Sequence, residues 1–396
     1  MPQTTRHVPP LRKALTMACA AGLLAVPLMT HAQTAPRPAV TPSGWQFGAV
    51  VDAAYTSQAL PLGLRDKGLG LGHSDLLARG TLGRQFSAEG VVSVATHEGH
   101  VEAGVEKLFV QTRTLPAGLQ MRLGRFASQV GYLNEQHPHA DDFMERPVLY
   151  RAFLGNHYFD DGVRLNWTAP TPFYLQLGAE TFTGRRLTPE SSHAPRAGVS
   201  TLSLKFGGDL GANQAWQAGA SLLRNQRTSS DPHEREEAAD LLMHGAEAGH
   251  ADGAAFTGRR LELFDLAWKW APNGNARQQQ WRVVLESARL SGLPQHALEG
   301  RRHLGQSLAV VWRLRPDWEV GMRQDRLRAA FAHEDHADEA ALNERSAMLV
   351  YKPSHKQSLR LQWTAQRKAQ GFEVGARPLV ALQYVVAFGA HGAHAF

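Results

Sequence analysis

Two short stretches, LQMRLG at residues 119–124 and VRLNWT at residues 163–168, decide the fold. In the first, Leu119, Met121 and Leu123 alternate with Gln120, Arg122 and Gly124. In the second, Val163, Leu165 and Trp167 alternate with Arg164, Asn166 and Thr168. A period of two puts successive side chains on opposite faces of an extended chain, so each stretch reads as a strand with one apolar and one polar face. The pattern begins at Trp45–Tyr55, with an aromatic at each end, and recurs to a final stripe of Val380, Leu382, Tyr384, Val386 and Phe388.

Counted along the chain, such segments number about 16, with a range of roughly 14–18 set by their boundaries. Short connections rich in Gly, Pro, Asn and Asp, such as Phe86–Gly90, Ala169–Pro172 and Arg315–Asp317, alternate with long ones at 128–160, 185–197, 228–259 and 331–344. Tight turns require those residue types, and a long–short alternation is the asymmetry of a membrane barrel. The expected fold is therefore all-β: a transmembrane antiparallel up-and-down β-barrel with short periplasmic turns and long extracellular loops. A soluble β-sandwich gives no reason for the alternation. The GLGLG run at Gly68–Gly72 precedes another alternating segment, not the helix a phosphate loop needs, and reads as loop and strand entry.

The first 32 residues have the layout of a secretory signal peptide: Arg6, Arg12 and Lys13, an apolar run from Ala14 to Met29, and small residues around Ala32. Residues 33–43 then form a flexible lead-in, and residues 44–396 the barrel. Removing the leader takes away its three cations and lowers the formal net charge from +6 to +3, so the basic balance gives nucleic-acid binding little support. The single cysteine, Cys19, lies in the leader, which excludes a disulfide framework or thiolate metal site in the mature chain. No apolar run after the leader is long enough for a spanning helix. Export without helical spans points to the cell outer membrane of a Gram-negative bacterium.

With the apolar stripes toward lipid, the opposite registers supply a pore lining of Arg113, Arg122, Arg164, Arg282, Arg323 and Arg360 with Glu180 and Glu319. Cations outnumber anions in that register, which favours anion passage unless pairing around a hydrated lumen cancels the excess. Histidines with neighbouring carboxylates form the second signal. They are His97 and His100 in HEGH; Glu135, His137, His139 and Asp141 in NEQHPHADD; His233, His244 and His250 in the 228–259 loop; and His333 and His336 in HEDH. Imidazole nitrogen with carboxylate oxygen is a ligand set for zinc, nickel or copper, although any one cluster also reads as a solvated polar loop. No cofactor is required; zinc or another divalent metal is the expected ligand.

The long loop 128–160 has two open readings. Folded inward, it sets Glu135, His137, His139, Asp141 and Asp142 beside Arg122 and Arg164 as a constriction, with Phe143, Tyr150, Phe153, Tyr158 and Phe159 against the wall. Otherwise those aromatics belong to an interface girdle. Catalysis is not expected: Ser74 beside His73 and Ser354 beside His355 are neighbours in sequence, which does not make a triad.

The runs GRFASQVGYLNEQHPHADDF (124–143) and RPVLYRAFLGNHYFDDGVRLNW (146–167) and the ending LQYVVAFGAHGAHAF (382–396) resemble a proteobacterial porin-like outer-membrane family. Its members are often labelled zinc-regulated or TonB-dependent-receptor-like. The resemblance implies a barrel concerned with metal supply, but the receptor label fits poorly, because no plug-like segment precedes Trp45. The expected function is an outer-membrane channel for small solutes whose His- and acid-rich loops capture divalent metal ions. The alternatives are a general or anion-preferring, phosphate-type porin and a surface metal-binding or adhesion barrel with a blocked lumen. Expected partners are outer-membrane lipid, small solutes or metal ions, and the barrel-assembly machinery through the terminal Phe396; a homotrimer is expected by analogy with porins of this size.

Overall fold

The computed structural model describes residues 44–97, 99–188, 197–227, 254–333 and 336–389. The leader, the lead-in, the histidines at 233, 244 and 250, and the terminal Phe396 lie outside the described residues.

Among the described residues, seventeen strands follow one another: β1 (Gln46–Thr56), β2 (Gly68–Leu71), β3 (Ser74–Leu82), β4 (Phe86–His97), β5 (His100–Thr112), β6 (Leu119–Ala127), β7 (Phe159–Thr168), β8 (Tyr174–Phe182) and β9 (Val199–Leu210). They continue as β10 (Gln214–Asn225), β11 (Arg260–Trp270), β12 (Gln280–Ser291), β13 (Arg302–Arg315), β14 (Trp318–His333), β15 (His336–Ser354), β16 (Gln357–Gln370) and β17 (Leu379–Gly389). Each pairs antiparallel with its chain neighbour, and β17 returns to β1 with Val51 opposite Val386, which closes the sheet. β2 and β3 both pair with β1, so they are two pieces of one wall strand broken at Gly72–His73. The wall therefore has 16 strands, and closure leaves no edge with unpaired backbone groups.

Three sequence readings need adjustment. Phe86–Gly90, read as a short connection, is the start of β4, which pairs with β3 from Leu82–Phe86 onward. The GLGLG run is not only a loop, because Gly68–Leu71 pairs with β1. Most of 331–344, read as a long loop, is strand: β14 and β15 stay paired from Trp318–Tyr351 up to His333–His336. Alternation weakens there because neither face meets lipid, so the periodic signal fades while the ladder continues.

The exterior is apolar. Leu69, Leu108, Leu123, Leu202, Phe264 and Met322 are all more than half exposed, which a water-soluble surface rarely tolerates in a continuous band. At the short-turn end, Trp281 stacks on Trp312 and Trp318 packs against Tyr351, as expected of an interfacial girdle. The lumen-facing register is polar over the lower wall, with Asp52, Glu180, Asp265, Glu286, Glu319, Arg323 and Gln383 all buried. Toward the long-loop end the same register turns apolar, with Leu223, Leu261, Leu263, Leu290, Leu327 and Leu342 buried in one cluster. Something must cover those side chains from inside, and the β6–β7 loop does.

Candidate functional site in the lumen

Although it connects two strands, the β6–β7 loop has no exposed residue: most of it is buried, and 135–140 is half-buried. Its two stems are joined by Asn134, whose amide donates to the Ser128 and Tyr158 carbonyls at 2.9 and 2.7 Å and whose oxygen accepts the Tyr158 N–H at 2.8 Å. Pro147 sets up a single short helix, α1 (Val148–Phe153), and Gly155 and Asn156 end it with φ of 55° and 68°. Left-handed residues stop a helix because the next amide can no longer continue its ladder. Every residue of α1 is buried, and Val148, Leu149, Tyr150 and Phe153 fill the apolar upper lumen. The Gly305 position has no room for a Cβ, which would lie 2.6 Å from the Leu149 Cβ.

On one side the loop is fixed by conventional polar contacts. Arg151 pairs with Glu344 of β15 at 2.6 Å, with both side chains fully buried. Arg323 of β14 donates to the Glu145 carbonyl at 2.6 Å and pairs with Asp325 and Glu344. Arg360 of β16 donates to the Asp141 carbonyl, Gln362 accepts the Met144 N–H, Arg282 of β12 pairs with Asp142, and the Tyr150 hydroxyl donates to Glu286. Near the stem, Arg164 of β7 bridges Glu180 and Glu135, each at 2.6 Å. Of the luminal cations read from the sequence, Arg164 and Arg282 are met by loop carboxylates, Glu135 and Asp142, while Arg323 pairs with Asp325 and Glu344 of the wall.

The other side is different. There the loop presents His137, His139 and His157 to His73 and Asp75 at the β2–β3 break and to Glu106 of β5. His73 Nε2 lies 3.2 Å from Asp75 Oδ1 and 3.1 Å from Glu106 Oε2. Asp75 Oδ2 lies 2.8 Å from His137 Nδ1 and 3.2 Å from His139 Nδ1, and Glu106 Oε2 is 3.8 Å from His157 Nδ1. One donor atom from each of His73, Asp75, Glu106 and His137 falls within 4.8 Å of the others. Nitrogen and oxygen ligands about 2.1 Å from a common tetrahedral ion stand about 3.4 Å apart, so the spacing suits a divalent metal. His73 Nε2, both Asp75 oxygens, Glu106 Oε2, His137 Nδ1 and both His157 nitrogens are buried and make no hydrogen bond with the described residues. Leaving a buried polar group unsatisfied costs about 1–3 kcal/mol, so such a concentration of them calls for a ligand.

Burial, reinforced by the Lys107 ammonium, pulls His137 down to about 3, and burial likewise pulls His157 down to about 4. Both imidazoles are therefore neutral at physiological pH, the form that binds metal. At His73, by contrast, burial is outweighed by Glu106 and Asp75, which raise the imidazole to about 10, so a metal there has to displace its proton. Lys107 Nζ sits 2.7 Å from His137 Nε2, where it donates to the neutral ring, and 3.6 Å from Glu89.

Glu106 reaches this site through a β-bulge. Val91 pairs with Lys107 and Val92 with Val105, which leaves Glu106 as the extra residue, so Glu106 and Lys107 both turn inward. Bulges re-aim side chains in this way. Its signature is visible in the chain: the apolar stripe Val101, Ala103, Val105 resumes one register later at Leu108 and Val110.

Of the metal ligands expected from sequence, only His137 and His139 enter this cluster. Glu135 is held by Arg164, and Asp141 pairs with Arg146 at 2.7 Å. His97 faces His100 across the β4–β5 tip and lies 3.8 Å from Asp66, while His333 and His336 face each other across the β14–β15 tip with ring centroids 5.1 Å apart. His73, Asp75, Glu106 and His157 were missed: His73 and Asp75 stand only two residues apart, but Glu106 and His157 lie tens of residues from them and from each other. Among the expected pore-lining residues, Arg164, Arg323, Arg360, Glu180 and Glu319 are buried inward, and Arg122 and Arg282 are partly so; Arg113 lies exposed just past the end of β5.

A closed wall of 16 strands, a lipid-compatible exterior, a polar lumen and an inward loop together define a porin-type transmembrane barrel. Solved structures share this architecture. The outer membrane protein OmpT of Vibrio cholerae, in trimer form, superposes with a TM-score of 0.52 at 10% identity, over 87% of this chain and 98% of its own. The anion-selective porin from Comamonas acidovorans gives 0.52 at 11% identity over 88% and 99%, and Pseudomonas putida OprB at high pH gives 0.55 at 9% over 87% and 94%. At such identities the likeness is one of fold. No family model matches the chain. In sequence, it is 49% identical over 80 residues to an uncharacterized protein of Aquifex aeolicus (strain VF5), a match spanning 20% of this chain and 17% of that protein.

Proposed function

We propose that this protein is an outer-membrane channel that passes small solutes through a lumen narrowed by the β6–β7 loop and captures divalent metal ions, zinc foremost, inside that lumen. The observation that carries the metal part is the buried convergence of His73, Asp75, Glu106 and His137, with His139 and His157 beside it. Four imidazoles and two carboxylates suit zinc and its first-row neighbours better than the oxygen-seeking magnesium or calcium. The channel part is supported by the closed barrel with its polar inner wall and by its likeness in fold to porins. A metal-supply role follows if ions held at this site pass inward with the solute stream. The location is then the outer membrane, reached by way of the N-terminal leader.

The test combines equilibrium zinc binding on the purified barrel with conductance in planar bilayers. Saturable zinc binding that Asp75→Asn abolishes and that the double variant His97→Ala/His100→Ala retains supports capture in the lumen. The reverse pattern assigns capture to the loop tips at the mouth. Absence of conductance at all metal concentrations overturns the channel and leaves a binding barrel.

A further inference from the structure

The ligands divide evenly between two parts of the molecule. His73, Asp75 and Glu106 belong to the wall; His137, His139 and His157 belong to the loop. The loop is a bridge across the lumen whose far end is held to β12, β14, β15 and β16 by ion pairs and hydrogen bonds that need no metal. Its near end meets β3 and β5 through the histidine–carboxylate cluster and the Lys107–His137 contact. Without a bound cation, that near end sets buried carboxylates and imidazoles against each other with unsatisfied atoms. With one, the same atoms become ligands and the two parts are tied through the ion.

Resting on the metal-capture reading above, we propose that a divalent transition-metal ion at this cluster is the switch that seats the β6–β7 loop against the β3–β5 wall, so that occupancy sets the width of the passage on that side. Coordination through His137 Nδ1 puts the ring hydrogen on Nε2, which then no longer accepts from Lys107. The ammonium turns to Glu89, its anionic neighbour at 3.6 Å. Loss of the ion returns His137 to Lys107 and leaves only the direct imidazole–carboxylate approaches to Asp75 and Glu106 in place of coordination bonds, so the near end of the bridge loosens while the far end stays fixed. The metal thus regulates the channel that admits it: the passage narrows when the ion is abundant and widens when it is scarce.

The experiment uses the full wild-type barrel, with zinc as the probe and two readouts on the same preparation. Calorimetry reads binding, and single-channel recording reads conductance after a chelator is added and again after zinc is restored. Stoichiometric binding, a rise in conductance on chelation and a return on re-addition are expected. Asp75→Asn is expected to show the chelated conductance level at all zinc concentrations; the chelator arm stands alone should that variant fail to fold. Stoichiometric zinc binding with unchanged conductance overturns the switch and leaves metal capture standing. No binding overturns both. A zinc-dependent fall in conductance that persists in a folded Asp75→Asn channel places the responsible ion elsewhere and overturns the assignment to this cluster.

Discussion

The inward loop touches opposite walls of the same barrel, and the two contacts are made of different chemistry. Toward β12–β16 the contact is made mainly of closed ion pairs, Arg151 with Glu344, Arg282 with Asp142 and Arg323 with Asp325 and Glu344, and only Asp325 Oδ1 and Arg360 Nε stay without a hydrogen-bond partner among the described residues. Toward β3 and β5 the groups are again buried, but imidazole nitrogens and carboxylate oxygens face one another without hydrogen-bond geometry. The first contact is largely complete in the protein alone. The second, on the proposal above, is completed by a metal ion. A buried contact that satisfies itself holds a loop at all times, whereas one that needs an ion holds it conditionally.

The largest expected effect tests the complete side. Arg151→Ala removes one partner of a pair whose two side chains are fully buried, and breaking such a pair costs about 3–5 kcal/mol. Arg323 at 3.1 Å still shields Glu344, so the lower end of that range is expected. Thermal unfolding in detergent and limited proteolysis within the loop are the measurements. A protease-resistant loop at the wild-type unfolding temperature would break the comparison, because the far anchor would then not depend on its ion pairs.

Next comes the conditional side. Zinc at a hundred times its dissociation constant should stabilise the wild-type barrel by about 2.7 kcal/mol through binding to the folded state alone. Asp75→Asn keeps the side-chain shape but loses the charge that lies between His73, His137 and His139, and its unfolding temperature is expected to be insensitive to zinc. Equal zinc stabilisation of Arg151→Ala and wild type would sharpen the comparison, since it shows that the two anchors act independently.

A smaller effect probes the apolar seat of α1. At Gly305, any side chain meets the Leu149 backbone and Cβ. Gly305→Val should cost about 1–3 kcal/mol by overpacking, and it should raise the conductance of the zinc-bound and chelated channels alike, because α1 sits apart from the metal ligands. An effect on the zinc-bound level only would show that the two anchors are coupled.

The barrel was legible in the sequence because lipid imposes a strict period of two on every wall strand, and that period survives even at LQMRLG and VRLNWT beside a long loop. It failed where lipid contact ends, at the upper halves of β14 and β15, and where β2 is only four residues long. The candidate site was half legible. His137 and His139 stand close together in a polar run, and their clustering is a local signal. The His73–Asp75 pair, Glu106 and His157 are separated by tens of residues and meet only because the β2–β3 break, the bulge in β5 and the loop's return toward β7 bring them to one height in the lumen. Of these, the bulge alone left a mark in the pattern, the one-register slip between Val105 and Leu108.

The smallest effect concerns the histidines that looked most like ligands in the sequence. His333 and His336 face each other across an exposed hairpin tip, and the His336 side chain is 63% exposed and 3.8 Å from an equally exposed Asp338. Two such rings can share an ion, but they are exposed, so solvent competes with a metal for them. The double variant His333→Ala/His336→Ala is expected to change folding stability by no more than about 0.5 kcal/mol and to leave the zinc stoichiometry of the high-affinity site unaltered by calorimetry. Loss of the tightest zinc from this variant would reverse the argument: exposure and flexibility at a loop tip would then outweigh burial and preorganisation in the lumen. Retention shows that local clustering of histidines in the chain is a weaker guide to a metal site than buried donors brought together from distant strands.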